Sequence, residues 1–404
     1  MNTAPKHDFT GVPVIDIDPF ALDVLRDPIS FNAMIRETAP IVWLSAHGTY
    51  GVGRYEELGT VLRDKENFTS AGGAGLSDIR KPGAWRPPGP IVEVDPPAHT
   101  QVRSVMNQII SPRVIRGWKQ SFELEAEKLC EELLSRGIEF DAVTDLIERY
   151  VFKVFPDALG VRGDREKLLI VGNHNFNAIG PQNELFRESQ AAQDSVSSWF
   201  EYNQTREAMV PGGFGELIFA AEDSGALPPG TASPMLRTLL RGGTDTTIST
   251  IGSTFRFLAQ DPGQWKIVQL DPNLIRLAFE EALRLESPTR TFFRTTASHV
   301  VEFGECKLRP DTKVQIFLGA ANRDPRKWSN PDDFDASRKP MGHLGFGSGI
   351  HNCLGQMIAR MESECLLGSF MRRVDKMELT SEPRFRLNNA LRTLETLPLR
   401  VALK

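Results

Sequence analysis

A cysteine near the end of the chain lies in a glycine-rich loop that could prepare its sulfur for metal binding. Residues 346–355 read Phe-Gly-Ser-Gly-Ile-His-Asn-Cys-Leu-Gly. Gly347 and Gly349 allow a tight turn and a close approach of the backbone to a flat group. Apolar residues recur at helical spacing from Gln356 to Leu367, and a thiolate just before a helix is stabilised by free N–H groups and the helix dipole. A buried structural cysteine is the alternative, but the fixed offsets of the loop favour Cys353 as a metal ligand.

A second polar stretch interrupts a long predicted helix. The pattern is helical from residue 233 to 258, yet residues 242–247 read Gly-Gly-Thr-Asp-Thr-Thr. Glycine and threonine are poor helix formers, so we predict a kink or groove where a freed carbonyl and a hydroxyl can hold water. By itself the stretch could equally be a close helix contact with Asp245 in a surface ion pair.

Two pairs of charged residues also have helical spacing. His99 and Arg103 follow Asp-Pro-Pro at positions i and i+4, and Glu281 and Arg284 stand at i and i+3. Such spacings place both side chains on one helix face. By spacing alone, a solvated helix surface is the better explanation of each pair.

Taken together, these stretches resemble the motifs of the cytochrome P450 family in its bacterial form. The family patterns are Phe-x-x-Gly-x-x-x-Cys-x-Gly, [Ala/Gly]-Gly-x-[Asp/Glu]-Thr, Asp-Pro-Pro-x-His-x-x-x-Arg and Glu-x-x-Arg. The resemblance runs from about residue 15 to the end of the chain. It implies a mainly α fold, a triangular prism of about a dozen helices with small β-sheets. Haem b would lie between a long distal helix and a proximal cysteine-loop helix.

The resemblance assigns roles to residues of each motif. Cys353 would be the axial thiolate of the haem iron, which favours O–O cleavage. Thr246 would steady dioxygen and Asp245 would relay protons to it, as a catalytic pair. The other predicted cofactor-binding residues, several of them propionate ligands, are His99, Arg103, Arg294, Phe346, His351 and Gly355. The predicted structural triad behind the haem is Glu281, Arg284 and Arg338.

Size alone allows one large or two ordinary domains, and the family resemblance implies one. The chain has 404 residues, of which 40% are hydrophobic, and this is ample for a large core. We expect a single catalytic domain over residues 1–404. Its small β-rich part would comprise approximately residues 15–70, 290–320 and 380–404, and its helix-rich part approximately residues 95–290 and 320–380.

Charge and cysteine usage narrow the partners and the compartment. The net charge of −5 gives no support for broad binding to nucleic acid or anionic membranes. Four cysteines with no C-x-x-C pair indicate a reducing compartment. The N-terminus has no apolar run long enough to span a bilayer. We therefore expect a cytoplasmic monomer.

Four further stretches, residues 85–88, 176–181, 211–215 and 287–296, resemble the bacterial branch of the family that oxidises para-substituted benzoates. In that branch, a loop arginine and a hydroxyl hold the substrate carboxylate, groups on the distal helix assist, and aromatic rings sandwich the substrate. The substrate-binding residues implied by the resemblance are Arg86, Phe176, Ile179, Arg237, Thr238, Arg241, Gly242, Thr289 and Phe292.

Three positions depart from the pattern of that branch. Gly89 stands where the branch has serine, and Ile179 stands where a second phenylalanine is usual. Arg241 replaces a small polar residue, and Arg290 is a further cation nearby. Because an unpaired arginine is costly to bury, Arg241 either pairs with Asp or Glu or faces an anionic substrate.

The resemblance implies a monooxygenase that hydroxylates or O-dealkylates a small aromatic carboxylic acid. Electrons would come from a [2Fe–2S] ferredoxin and its NAD(P)H-dependent reductase. Basic residues that could dock the ferredoxin are Arg113, Arg116, Lys119, Arg360, Arg372 and Arg373. A neutral substrate such as a terpenoid or phenol is an alternative. A peroxygenase and a non-catalytic haem sensor are further alternatives, but the Asp245–Thr246 pair argues against both.

Overall fold

Helices dominate the computed structural model of the chain, which describes residues 11–82 and 88–404. Several of them begin with a proline at the first helical position, as Pro28, Pro112 and Pro262 do, where the missing N–H costs nothing. The α-helices of the described residues are α1 Leu22–Arg26, α2 Pro28–Thr38, α3 Tyr55–Arg63, α4 Ala98–Ile109, α5 Pro112–Arg136, α6 Glu148–Leu159, α7 Lys167–Asn177, α8 Glu184–Ser195, α9 Ser197–Tyr202, α10 Phe214–Asp223, α11 Ala232–Gly242, α12 Asp245–Gln260, α13 Pro262–Leu270, α14 Leu274–Glu286, α15 Leu318–Ala321 and α16 Gln356–Arg373.

Short strands form small sheets beside the helices. The strands are β1 Val14–Ile15, β2 Val42–Leu44, β3 Thr49–Val52, β4 Phe68–Thr69, β5 Glu139–Asp141, β6 Thr291–Thr296, β7 Val301–Phe303, β8 Cys306–Leu308, β9 Lys313–Phe317, β10 Val374–Leu379, β11 Arg384–Arg386, β12 Thr393–Thr396 and β13 Pro398–Leu403. The mainly α architecture with small sheets agrees with the fold class expected from the sequence.

The largest sheet joins the first two of the three segments in the predicted β-rich part. Its six strands lie in the order β1-β2-β3-β9-β6-β4, so residues 14–69 pair with residues 291–317. The C-terminal strands behave differently. Strand β13 pairs with β10 and β5, and β11 pairs with β12, so residues 384–403 belong to sheets separate from the six-stranded one.

Aromatic side chains of the long helices fill the main core. Phe122 of α5, Tyr150 of α6, Phe255 of α12, Phe279 of α14 and Phe370 of α16 are all at most 1% exposed. Burying a large apolar side chain contributes about 1.5–3 kcal/mol relative to leaving it exposed. This core holds α12, α14 and α16 in fixed relative positions, and these helices carry the predicted chemistry.

The predicted long distal helix is divided as its glycines indicate. Helix α11 ends at Gly242 and α12 begins at Asp245. A Cβ added at Gly243 would lie 2.3 Å from the ring of Phe155, so only glycine permits this close packing. The break therefore exposes backbone at the point where Thr246 follows.

The glycine-rich loop after β4 is anchored at its described ends. Lys313 donates hydrogen bonds to the carbonyls of Gly72 and Gly73 over 2.7 and 2.8 Å. Asp95 accepts hydrogen bonds from the backbone N–H groups of Ser70 and Ala71. Lys313 and Asp95 thus anchor the first part of this loop, between strand β4 and helix α4.

No helix within residues 11–82 and 88–404 combines the length and the apolar character needed to cross a membrane.

Candidate active site

A large cavity brings together residues from several of the predicted motifs. It measures about 2160 Å³ including its opening to solvent. Its walls include Cys353 from the cysteine loop and Thr246 from the start of α12. Residues far apart in sequence thus meet at one site large enough for a cofactor and a small substrate.

The cysteine loop turns sharply to present Cys353 at the start of α16. Gly347 and Gly349 have φ values of +71° and +72°, which favour glycine. The Cys353 N–H donates to the carbonyl of Phe346 over 2.8 Å and closes the loop. Burial raises the pKa of the Cys353 thiol, while the N–H groups of Gly355 and the following residue oppose this rise. Those N–H groups are positioned to stabilise a thiolate.

A cluster of histidine and arginine side chains lies beside the cysteine loop. The rings of His99 and His351 are 4.4 Å apart between centroids. Arg103 donates to the carbonyl oxygen and the Oδ1 atom of Asn352, over 2.7 Å in each case. Burial lowers the pKa of His99 to about 4, helped by the neighbouring charges of His351 and Arg103. Arg294 is almost fully buried and also lines the cavity.

Haem b fits the donors that this region presents. Both ring nitrogens of His99 and the Nε2 atom of His351 are buried and have no hydrogen-bond partner within the described residues. His351 Nε2 lies 3.8 Å from Asp95 Oδ1, beyond hydrogen-bond distance. A Cβ added to Gly355 would meet no atom within 4 Å, so the backbone is open to the cavity. Buried polar groups normally have partners, and an anionic planar group would supply them.

The predicted catalytic pair is split between the cavity wall and the protein behind it. Thr246 lines the cavity, whereas Asp245 is not among the lining residues and is 2% exposed. A Cβ at position 172 would lie only 1.7 Å from Asp245 Oδ2, so Gly172 makes room for the carboxyl group. Burial raises the pKa of Asp245 to about 7, and the charge of Arg386 opposes the rise. A hydrogen bond from Thr244 Oγ1 also reaches Oδ2, over 3.2 Å.

The three residues of the predicted structural triad are in direct contact. Arg284 donates from Nε and Nη2 to both oxygens of Glu281, each over 2.8 Å. Arg338 Nε donates to Glu281 Oε1 over 2.7 Å. Arg284 also donates to the carbonyls of Asn322 and Pro331. The network ties α14 to the segment that precedes the cysteine loop.

The predicted substrate-binding residues within the described chain all face the same cavity. These eight are Phe176, Ile179, Arg237, Thr238, Arg241, Gly242, Thr289 and Phe292. Arg86 lies outside the described residues. Arg237 and Arg241 are one helical turn apart on α11, which puts both guanidinium groups on the same side of that helix.

Arg241 and Gly89, two of the positions that depart from the pattern of the benzoate-oxidising branch, both make specific contacts. The Arg241 guanidinium lies over the ring of Phe200, 5.3 Å from its centroid, in a cation–π contact. The Gly89 N–H donates to Glu93 Oε2 over 2.7 Å. A Cβ at Gly89 would lie 3.2 Å from the same oxygen. A serine at this position would therefore stand next to a carboxylate.

Two acidic residues of the cavity wall are absent from the sequence-based site. Glu93 is 5% exposed, and Glu362 of α16 is fully buried with neither oxygen bonded within the described residues. Burial raises the pKa of Glu362 well above its usual range. The sequence signal was available for Glu362, because it follows Ile358 by four residues on an otherwise apolar helix face.

Comparisons with known proteins agree with this site. The sequence profile of the family "Cytochrome P450" matches residues 273–396. The chain is 44% identical to cytochrome P450 CYP199A2 of Rhodopseudomonas palustris over 99% of its own length and 97% of that protein. It is 32% identical to cytochrome P450 107B1 of Saccharopolyspora erythraea, covering 86% of this chain and 88% of that one. The structure of cytochrome P450 CYP109Q5 from Chondromyces apiculatus superposes with a TM-score of 0.79 at 30% identity, over 96% of this chain and 99% of the other.

The cysteine loop, the divided helix and the mainly α fold therefore define a haem-thiolate enzyme. The chain belongs to the cytochrome P450 family, whose members bind haem through a cysteine thiolate. It is a cytochrome P450 monooxygenase.

Proposed function

We propose that this monooxygenase hydroxylates or O-dealkylates a small aromatic carboxylic acid with electrons from a ferredoxin. The observation that carries the substrate class is the pair Arg237 and Arg241, which face the cavity from one side of α11. Phe176 and Phe292 supply aromatic surface in the same cavity. A ring held by aromatic side chains and a carboxylate held by arginine match the chemistry of such a substrate.

The charges of the cavity wall favour an anion after haem has bound. Four arginines line it, namely Arg103, Arg237, Arg241 and Arg294. Arg103 and Arg294 would be used by the two haem propionates. Burial raises the pKa of Glu362 and thereby favours its neutral form, so Glu93 is the acid of the described wall to be set against Arg237 and Arg241. The balance remains in favour of an organic anion.

In our assignment, haem is held by groups at both ends of the site. Cys353 would provide the thiolate ligand, and Phe346 and Gly355 line the cavity beside it. His99, His351, Arg103 and Arg294 would hold the propionates. When bound, thiolate-ligated haem supplies the oxygen-activating chemistry.

Asp245 and Thr246 are the residues that deliver protons for that chemistry. With a pKa raised to about 7, the Asp245 carboxyl group can both hold and release a proton at neutral pH. The Thr246 hydroxyl lies in the cavity and can donate a hydrogen bond to dioxygen there. Because Asp245 is buried behind the wall and Thr246 lines it, the carboxyl group is placed to pass protons to the hydroxyl rather than to contact the substrate.

The ferredoxin proposal rests on an exposed basic surface beside the cysteine helix. Arg113, Arg116 and Lys119 are exposed on α5, which packs along α16. An acidic electron carrier would be guided to such a surface. Its reductase would draw electrons from NAD(P)H.

A titration of the Soret band tests the substrate class. Para-substituted benzoates and cinnamates should shift the band, and the corresponding neutral amides and alcohols should shift it far less. Arg237→Gln should weaken binding of the acids by roughly 10-fold to 100-fold, because a charge-assisted hydrogen bond contributes about 1.5–3 kcal/mol. Arg256→Gln, which alters a partly buried arginine outside the lining residues, is the control. If only neutral ligands move the band, the substrate is not a carboxylic acid.

A further inference from the structure

The aromatic ring next to the cysteine is clamped from two directions. The Arg360 guanidinium lies over the face of Phe346, 4.6 Å from the ring centroid. The His343 imidazole lies 5.9 Å from the same ring, tilted by 43°. Phe346 in turn accepts the backbone hydrogen bond that closes the loop at Cys353. The contacts of the ring are therefore contacts of the metal-ligand loop.

One carboxylate holds both groups that touch the ring. Glu280 accepts from Arg360 Nε and Nη2, and its Oε2 atom lies 2.6 Å from His343 Nε2. Gln356 accepts a further hydrogen bond from Arg360 Nη1 over 2.8 Å. Burial favours the protonated form of Glu280, but hydrogen bonds from His343 and Arg360 outweigh it and hold its pKa at about 2. The clamp is thus an ordered network with a fixed charge at each end.

This network makes Arg360 unlike the other basic residues proposed for docking. Its side chain is 17% exposed, whereas the Arg372 side chain further along α16 is 56% exposed. Its donors are directed at Glu280 and Gln356, and its flat face is directed at Phe346. An arginine with these contacts cannot also bind a partner protein through the same donors.

We propose that Arg360, held by Glu280 over Phe346, is a positioning residue that stabilises the Cys353 thiolate and raises the reduction potential of the bound haem. The inference deepens the proposed function and rests on the assignment of Cys353 as the thiolate ligand. The negative charge of Glu280, which is bonded to Arg360, has the opposite effect on the reduction potential. His343 contacts both the Glu280 carboxylate and the Phe346 ring and so fixes their relative position.

The sign follows from the charge that one-electron reduction adds. An electron taken from an external donor makes the thiolate-ligated haem more negative. A guanidinium close by stabilises the reduced state more than the oxidised state, and a carboxylate does the reverse. Both effects act in a buried environment, where charges are screened less than in bulk water. Removing the two charges should therefore move the potential in opposite directions.

Redox titration of four variants of the haem-loaded enzyme with dithionite tests the proposal. Arg360→Gln should lower the potential and Glu280→Gln should raise it. For each, the expected change in the reduction equilibrium is on the order of tenfold, or about 59 mV for one electron. Arg360→Lys keeps the charge and should restore most of the wild-type value. Arg276→Gln removes an exposed arginine from α14 and should leave the potential unchanged.

Two accompanying measurements separate electrostatics from loss of structure. Far-UV circular dichroism and the Soret band of the reduced carbon monoxide complex report whether each variant keeps its fold and its thiolate ligand. Opposite shifts for Arg360→Gln and Glu280→Gln support the proposal. Shifts of the same sign, or shifts no larger than that of Arg276→Gln, overturn it. If wild-type protein itself lacks the thiolate spectrum, the haem-thiolate assignment fails instead. Should Arg360→Gln not fold, Glu280→Gln and Arg360→Lys carry the test. Glu280→Gln should raise the potential and Arg360→Lys should stay near the wild-type value, and a potential that falls or does not change in Glu280→Gln overturns the proposal.

Discussion

Substitution of Glu281 by glutamine should destabilise the protein far more than removal of an exposed carboxylate. Glu281 and Arg284 side chains are 0% exposed, and Arg338 is 15% exposed. Glutamine preserves the size of the side chain but leaves two guanidinium groups without their counter-charge. Breaking a buried ion pair in this way costs about 3–5 kcal/mol. We expect a value near 3 kcal/mol, because the carbonyls of Asn322 and Pro331 continue to accept from Arg284.

Urea unfolding followed by far-UV circular dichroism measures this loss. The midpoint should fall while the slope with denaturant stays unchanged, since the surface exposed on unfolding is the same. Glu132→Gln is the matched control, because Glu132 pairs with Arg149 on the surface, where both side chains are over a third exposed. That exposed pair contributes at most about 1 kcal/mol. Equal losses for the two variants would refute the view that the triad is a buried brace.

Three further predictions concern the cavity. Between the ordinary pKa of Asp245, 3.8, and about 7, the folded state binds more protons than the unfolded state. Wild-type stability should therefore fall relative to Asp245→Asn as pH rises through that range, by at most about 4 kcal/mol. Denaturation curves of both proteins from pH 4 to 8 check this, and a difference in stability that does not change with pH would contradict it. Thr246→Ala should retain haem and substrate binding but consume NAD(P)H with several-fold less product, because the hydroxyl donor is lost; unchanged product per NAD(P)H would contradict the role given to Thr246. Glu93→Gln should tighten binding of carboxylic acids about tenfold and leave neutral ligands unchanged, since it removes a negative charge from the wall; equal effects on both ligand classes in the Soret titration would argue against an anionic substrate.

Those parts of the site that lie within a single sequence motif could be predicted from the sequence. The loop before Cys353 needs glycine at two positive-φ positions, and such requirements are visible in the amino-acid order. The break between α11 and α12 was likewise predicted from its glycines and threonines. The mainly α fold followed from the family resemblance together with long helical patterns.

The sequence could not supply contacts between distant segments. Glu280, His343 and Arg360 belong to three separate segments, and only the fold shows that Glu280 binds the two groups that contact the Phe346 ring. Spacing likewise left open whether Arg241 faces an acid or the substrate, and the structure adds a third contact, the ring of Phe200. Such pairings depend on tertiary packing, which local patterns do not encode.

The central claim is that Cys353 binds haem iron as a thiolate. The difference spectrum of the reduced carbon monoxide complex tests it most directly, compared between the wild type and Cys353→His. The wild type should show the strongly red-shifted Soret band of thiolate-ligated haem, and Cys353→His should show the unshifted band of a nitrogen-ligated haem. A wild-type spectrum without that red shift, or a red shift that survives in Cys353→His, would contradict the account.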